Sequence, residues 1–324
     1  KPWKYSNLLF QPKKVLTKLN CMPKRWLILM LLLHLNGYSQ SDSAFKADTL
    51  CLHRQRLTAL ITGSTLLYAG SMTGLYHLWY KDYPQSSFHF YNDNDEWLGV
   101  DKAGHASASY IMGSLGYESL RWAGVDERNA IWFGGSAGFM FLTVVEVLDG
   151  FSAQWGASPG DLIANGLGSA LFISQQLGWK EQRIKLKWSF HLTKYAQYRP
   201  ELLGSTFPER MLKDYNGQTI WLSGNIRSFL PQNSSFPAWL NVAVGYGAEG
   251  MTGATINPDF YNGQPIPHFD RYAQFYFAPD IDLSRIKTNQ PTLKMLFKVL
   301  DFIKIPLPGL VFTEKGMRIC GACF

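Results

Sequence analysis

The chain has 324 residues, 46% hydrophobic and 15% aromatic, enough to bury a full core and to carry two subdomains. Its 31 Lys and Arg against 24 Asp and Glu give a formal charge of +7, yet seven of the basic residues and no acidic ones fall in residues 1–39. With that stretch removed as a leader the charges balance, so the basic character gives no support to nucleic-acid binding.

From Met22 the sequence runs Met-Pro-Lys-Arg, then an apolar stretch from Trp26 to Leu35, then Gly37-Tyr38-Ser39. This is the basic region, short hydrophobic region and small-x-small cleavage site of a signal peptide. The apolar stretch is shorter than the about 20 residues a membrane-spanning helix needs. Residues 1–21 then read as translated upstream sequence or an extension. No cysteine stands at the cleavage point, so a lipid anchor is not supported there.

Leu57 to Tyr80 contains no Asp, Glu, Lys or Arg, and is long enough to cross a bilayer or to form a buried core helix. Small residues recur four apart at Gly70 and Gly74, Gly134 and Gly138, and Gly166 and Ala170, a spacing that lets helix backbones approach closely in lipid or in a soluble bundle. The run Asn92-Asp93-Asn94-Asp95-Glu96 lacks the spacing and glycine of a calcium loop and reads as a solvated turn. Helices are predicted from Asp101 to Ala123 and from Arg128 to Leu148. A fourth starts at Ser158-Pro159-Gly160-Asp161, an N-cap followed by proline and an acid in the first turn, and ends near Gly178.

Past Lys180 the period changes. Ile184, Leu186, Trp188, Phe190 and Leu192 alternate with polar residues, which predicts a half-buried strand. Trp239 to Tyr246 alternates likewise, Tyr272 to Leu283 is extended and aromatic-rich, and Leu293 to Ile303 reads as an amphipathic helix stopped by Pro306 and Pro308. Apolar-out, polar-in alternation is a property of membrane strands, but three or four strands do not close a barrel, so a small sheet packed on the helices is expected.

The expected fold class is therefore mainly α: a small-residue-packed bundle of about four helices, then a region of short strands and one amphipathic helix. The corresponding segments are 1–39 (extension and signal peptide), 40–180 (helical core), 181–312 (mixed strand and loop) and 313–324 (tail). Of the cysteines, Cys21 leaves with the leader, Cys51 stands alone, and Cys320 and Cys323 read as an incidental pair on the tail.

Three polar clusters interrupt the apolar helices. Asp101 and His105, Glu146 and Asp149, and Asp161 and Asn165 each share a helix face. Ionised groups in a low-dielectric interior cost several kcal/mol each unless paired, so convergence of these faces needs a structural or chemical reason. His105, Glu146, Asp149 and Asp161 are the candidate catalytic residues, with Asp101, Lys102, Asn165 and Gly168 completing the cluster. One imidazole and several carboxylates suit acid–base chemistry, and the same donors suit a divalent metal. No His-Glu-x-x-His motif or Gly-x-Ser-x-Gly elbow accompanies them. The structural alternatives are capping by Asp101 and Asp161, pairing of Glu146 with Lys102 or Arg121, and a local Glu118–Arg121 ion pair.

The pattern Asp101-Lys102-x-x-His105, the acidic helix end at Glu146, and Asp161-x-x-x-Asn165-x-x-Gly168 is similar to that of VanZ-like membrane proteins. It resembles more closely the YfiM-like family of predicted periplasmic lipoproteins of unknown function, over roughly Trp97 to Gln176, with Glu146-Val147-Leu148-Asp149-Gly150-Phe151-Ser152-Ala153-Gln154-Trp155-Gly156 as its most specific stretch. Tyr276 to Leu283 and Phe302 to Pro306 resemble the long envelope version of that family. The tail from Gly316 does not. The resemblance implies a cell-envelope location, periplasmic or outer-membrane associated, and a helical core, and brings no established activity. The expected function is a membrane-associated envelope protein whose cluster binds a polar headgroup or stabilises the bundle, its partner a membrane or envelope component and not nucleic acid. The alternative is an envelope hydrolase acting on a lipid or cell-wall component through His105 and the carboxylates.

Overall fold

A computed structural model describes residues 52–81 and 83–324. The leader, the upstream extension, Cys21 and Cys51 lie outside the described residues. Helix α1 (Arg54–Leu75) continues into a π-helical turn at Tyr76–Tyr80, and α2 covers Val100–Trp122. The third helical stretch begins at Glu127, passes through a π-helical turn at Ala130–Gly134, and ends in α3 (Ala137–Asp149). Helix α4 (Pro159–Trp179) opens with Ser158 Oγ accepting the Asp161 N–H at 3.0 Å, the cap its sequence predicts.

Helix α2 is entered through three successive residues in the left-handed region, Trp97, Leu98 and Gly99, with φ of 51°, 52° and 75°. Only the glycine adopts this without a Cβ penalty. The other two are held by burial of Trp97 among Tyr195, Tyr215 and Met251, by its N–H donating to Ala254 O at 2.8 Å, and by the Tyr246 hydroxyl donating to Leu98 O.

Glycine decides how closely α2 meets its neighbours. A Cβ on Gly168 would lie 2.0 Å from Ala106 O, and one on Gly138 would lie 2.3 Å from Ser109 O, so backbone packs on backbone at both places. Gly70 and Gly74, by contrast, have no neighbour within 4 Å, so that small-residue pair is not used for packing among the described residues.

The remainder corrects the expected fold class. Instead of a few short strands beside a mainly α bundle, an antiparallel sheet of six strands runs in chain order: β1 (Ile184–Phe190), β2 (Gln218–Asn225), β3 (Leu240–Glu249), β4 (Tyr272–Ile281), β5 (Leu307–Thr313) and β6 (Gly316–Cys323). The fold thus combines the helices with a large meander. Strands β1, β3 and β4 lie where alternation predicts them. Strand β2 reads Gln-Thr-Ile-Trp-Leu-Ser-Gly-Asn, whose contiguous apolar centre shows no period of two, while Pro308 and Gly309 mask β5. Residues expected as a tail form β6, and Cys320 and Cys323 are joined there in a disulfide.

The register gives the sheet two opposite faces. One row across all six strands is Leu186, Leu222, Val244, Phe277, Leu310 and Ile319; the next is Trp188, Ile220, Tyr246, Phe275, Phe312 and Met317. The other face carries Lys187, Ser189, Ser223, Asn225, Asn241, Gln274 and Asp280, all buried. Lys187 Nζ lies 2.9 Å from Asp280 Oδ2 and 3.4 Å from Asp301 Oδ1, while Lys185 reaches Asp282 at 2.8 Å and Asp301 at 2.6 Å. Lys304 Nζ sits 4.8 Å from the centre of the Trp221 ring. Helix α5 (Phe207–Lys213) precedes β2, and Asp301 and Lys304 follow α6 (Pro291–Leu300); this last segment covers the free edge of β1, with Trp188 N–H donating to Phe302 O at 2.8 Å and Lys304 N–H to Trp188 O at 2.9 Å.

Two predictions follow from this packing. Gly168→Ala forces α2 and α4 apart and costs about 1–3 kcal/mol, whereas Gly166→Ala, whose Cβ would meet only Phe139 at 4.0 Å, leaves the melting temperature within a degree or so of wild type. Burial, aided by Lys187, pushes the Lys304 pKa down to about 8 against the opposing pull of Asp280. The folded state therefore binds fewer protons than the unfolded state between about pH 8 and the ordinary lysine value, and stability rises with pH across that window. Urea unfolding at pH 7.5 and pH 10 should show Lys304→Met lacking a wild-type gain on the order of 3 kcal/mol.

Candidate functional site

The Gly168 contact brings the Asp101/His105 face of α2 against the Asp161/Asn165 face of α4. His105 Nε2 lies 3.9 Å from Asp101 Oδ1 and 3.8 Å from Asp161 Oδ1. On the other side of the ring Nδ1 is 3.1 Å from Asn165 Oδ1 and 3.9 Å from Glu146 Oε1. The amide oxygen can only accept, so the Nδ1 proton donates to Asn165 and the neutral ring turns its Nε2 lone pair toward two carboxylates. That arrangement is repulsive unless a proton or another cation lies between them.

Lys102 supplies one fixed positive charge. Its Nζ is 2.7 Å from Asp93 Oδ1, 3.0 Å from Asp161 Oδ1 and 3.2 Å from Asp101 Oδ2. Toward Asp161 it lies off the hydrogen-bonding direction, which leaves Asp161 Oδ1 buried with an ion-pair neighbour and no directed hydrogen bond. Tyr215 donates to Asp101 Oδ1 at 2.6 Å, and Ser158 Oγ donates to Asp93 Oδ1 at 2.5 Å.

The electrostatics follow from these contacts. Burial opposes charge on His105, but Asp101, Asp161 and Glu146 outweigh it and raise the imidazole pKa above its ordinary value. Burial, reinforced by Asp101, pushes Asp161 up to about 7, and burial pushes Glu146 up to about 8 and Asp149 up to about 6. Burial also opposes charge on Lys102, yet the surrounding carboxylates raise its pKa. Despite desolvation, Lys102 and Ser158 hold Asp93 below the usual carboxylate range. The cluster thus stores protons near neutral pH.

Asp101, Lys102, His105, Glu146, Asp161 and Asn165 converge. Asp161 also sits in the first turn of α4, where its N–H completes the Ser158 cap, so its structural and cluster roles coincide. Glu146 does not pair with Lys102; its Oε2 accepts the Ser158 N–H at 3.0 Å. Asp149 stands apart, accepting from Tyr80 at 2.6 Å and Trp155 at 2.7 Å, and so anchors aromatic side chains. Gly168 contributes close approach rather than a ligand. Glu118 reaches across to Lys298 on α6 at 3.0 Å.

The sequence reading missed Asp93 and Tyr215. Asp93 belongs to the acidic run read as a solvated turn, and its place just ahead of an entry to α2 was the available signal. Tyr215 is 114 residues from Asp101, and no local pattern marks it.

Chemically, the arrangement suits a proton or a cation placed between the imidazole and the carboxylates. As a hydrolase it lacks a directly assembled relay, because the His105–carboxylate separations of 3.8–3.9 Å exceed hydrogen-bond reach and require a bridging water or ion. A cavity of about 400 Å³ lies elsewhere, between α2, α4, β1 and α6, bordered by Tyr110, Gln176, Lys185, Arg285 and Asp301.

Residues 89–175 match the model of a family described as predicted periplasmic lipoproteins. The matched span contains Asp93, Asp101, Lys102, His105, Glu146, Asp149, Asp161, Asn165 and Gly168, and it bears out the resemblance to that family of unknown function. The likeness to VanZ-like membrane proteins has no counterpart in it. No curated protein and no solved structure matches the chain. That description accords with an exported, envelope-associated location and names no activity.

Tyr215→Phe removes the 2.6 Å bond to a part-buried carboxylate and should lower stability by about 1–3 kcal/mol in thermal unfolding, with the secondary structure content by circular dichroism unchanged.

Proposed function

We propose that this envelope protein associates with a membrane through its apolar outer faces and that the Asp101–His105–Asp161 centre binds a cationic polar headgroup. The observation that carries the reading is the distribution of polarity. Charged and amide side chains share the inner face of the sheet with buried Trp221, Tyr276 and Val311 and gather at the α2–α4 interface, while many large apolar side chains are exposed on the opposite sheet face and on the helices.

Ile319 is 79% exposed, Phe275 53% and Val244 51% on the sheet. On the helices Leu67 and Phe133 are each 71% exposed and Ile163 and Leu167 each 64%. Ile163 and Leu167 alternate along α4 with buried Asp161, Asn165 and Gly168, so one helix turns its polar side inward and its apolar side out. In the two apolar rows Ile220 is buried and Tyr246 packs beside Trp97, but the exposed members that remain exceed the scattered exposure normal for a protein in water. Among the described residues Glu127–Asp149 is the helix long and apolar enough to cross a membrane, by length and composition only.

The preference for a cation follows from charge. Asp93, Asp101, Glu146 and Asp161 surround Lys102 and His105, so an anionic phosphate meets carboxylates at close range whereas an ammonium meets complementary charge.

Flotation of the full chain with vesicles tests both parts. Wild type should float with phosphatidylethanolamine vesicles and less with phosphatidylglycerol vesicles. Val244→Asp with Phe277→Asp should reduce flotation on both, and Asp161→Asn should remove the preference between them. Equal partition of folded wild type into the aqueous fraction with either lipid contradicts the reading.

A further inference from the structure

We infer that Asp101, His105 and Asp161 form a site for a first-row divalent transition-metal ion such as zinc. The inference rests on the reading of this cluster as a cation-binding centre and goes beyond it: the point between these three atoms takes a metal ion in place of a headgroup ammonium.

Geometry carries it first. His105 Nε2, Asp101 Oδ1 and Asp161 Oδ1 all lie within 4.8 Å of one another, with the two imidazole–carboxylate separations at 3.9 and 3.8 Å. A point equidistant from three such atoms is close to the about 2.0–2.2 Å at which zinc takes imidazole nitrogen and carboxylate oxygen, so small side-chain movements complete the coordination. Mixed nitrogen and oxygen ligands favour such an ion over calcium or magnesium, which prefer oxygen alone.

The surroundings supply independent support. Asp161 is 3% exposed, and its Oδ1 faces His105 Nε2 with the Lys102 ammonium 3.0 Å away but no directed hydrogen bond. Asn165 is completely buried and its Oδ1 takes the Nδ1 proton of His105, the outer contact that fixes a ligating imidazole with its other lone pair toward the metal. Tyr215 orients Asp101 in the same way by donating to its Oδ1. The carboxylates of Asp93, Asp101 and Asp161 outnumber the one ammonium of Lys102, so a metal ion can take the place of the protons they otherwise hold. Glu146, 3.9 Å from Nδ1, lies on the far side of the ring and is not a ligand in this arrangement.

The test is a titration of the detergent-solubilised full chain with cobalt(II), followed by its visible d–d absorption and then by displacement with zinc. Wild type should take up one equivalent. His105→Ala and Asp161→Asn should each lose affinity at least about tenfold, while Glu118→Gln, on the same helix but paired with Lys298, binds as wild type does. Near-ultraviolet circular dichroism establishes that each variant is folded, and the isosteric Asp161→Asn suffices if His105→Ala is not. Absence of cobalt and zinc binding by wild type, or undiminished binding in the folded variants, overturns the proposal. Flotation of the same samples separates the two readings: lipid preference without metal binding overturns the metal site alone, and loss of both overturns the headgroup reading as well.

Discussion

The contact of Gly168 against the Ala106 carbonyl is the constraint on which the site depends. Any side chain at position 168 places carbon 2.0 Å from that oxygen, so α2 and α4 can lie at this separation only with glycine there. At this separation a polar face of each helix meets the other, and the imidazole of one reaches the carboxylate and amide of the next. Gly138 against Ser109 draws the helix bearing Glu146 to the same place. Ionised groups so confined require neighbours that answer their charge, and Lys102, Asn165, Ser158 and Tyr215 provide them.

The sheet repeats the arrangement by different means. Alternation along the strands sends lysines, aspartates and amides inward beside Trp221, Tyr276 and Val311 and most of the other aliphatic and aromatic residues to the opposite face, and the register of the meander aligns these into rows. The Lys187–Asp280 and Lys185–Asp301 pairs tie β1 to β4 and to the segment after α6, so the polar interior also fastens the ends of the sheet. Helices and sheet thus share one logic, with charge satisfied inside and apolar surface presented outside. In water that distribution is costly; against lipid it is the favourable one.

Much of the helical layer was legible in the sequence. The Ser158 cap, the i, i+4 polar pairs and the small residues of α3 and α4 are local signals, and local signals fix helices and the faces they present. The sheet was only partly legible because β2 and β5 lack clean alternation: Ile220-Trp221-Leu222 gives a continuous apolar centre, and Pro308 suggests a break where the chain forms a strand. Strand β6 forms a hairpin with β5 through Glu314-Lys315, and with β5 masked by Pro308 and Gly309 its partner went unread. The site shows the same division. Asp101 with His105 and Asp161 with Asn165 follow from helical spacing, but Tyr215 reaches Asp101 from the β-sheet region, and Asp93 arrives through left-handed turns at Trp97 and Leu98 that β-propensity and helix propensity both argue against. Asp149 went the other way, since helical spacing pairs it with Glu146 while Tyr80 and Trp155 take its hydrogen bonds.

The central proposal is that the exposed apolar faces of this envelope protein lie against lipid while the charged clusters at the α2–α4 interface and on the inner face of the sheet are enclosed. Spin labels at Phe277→Cys and Ile163→Cys, in a Cys51→Ser background reconstituted into vesicles, measure this most directly through collision rates with oxygen and with a water-soluble nickel chelate. The account predicts high oxygen and low nickel accessibility at both positions, with the reverse at a label replacing exposed Glu118. Nickel accessibility at Phe277 and Ile163 equal to that at position 118 would contradict it.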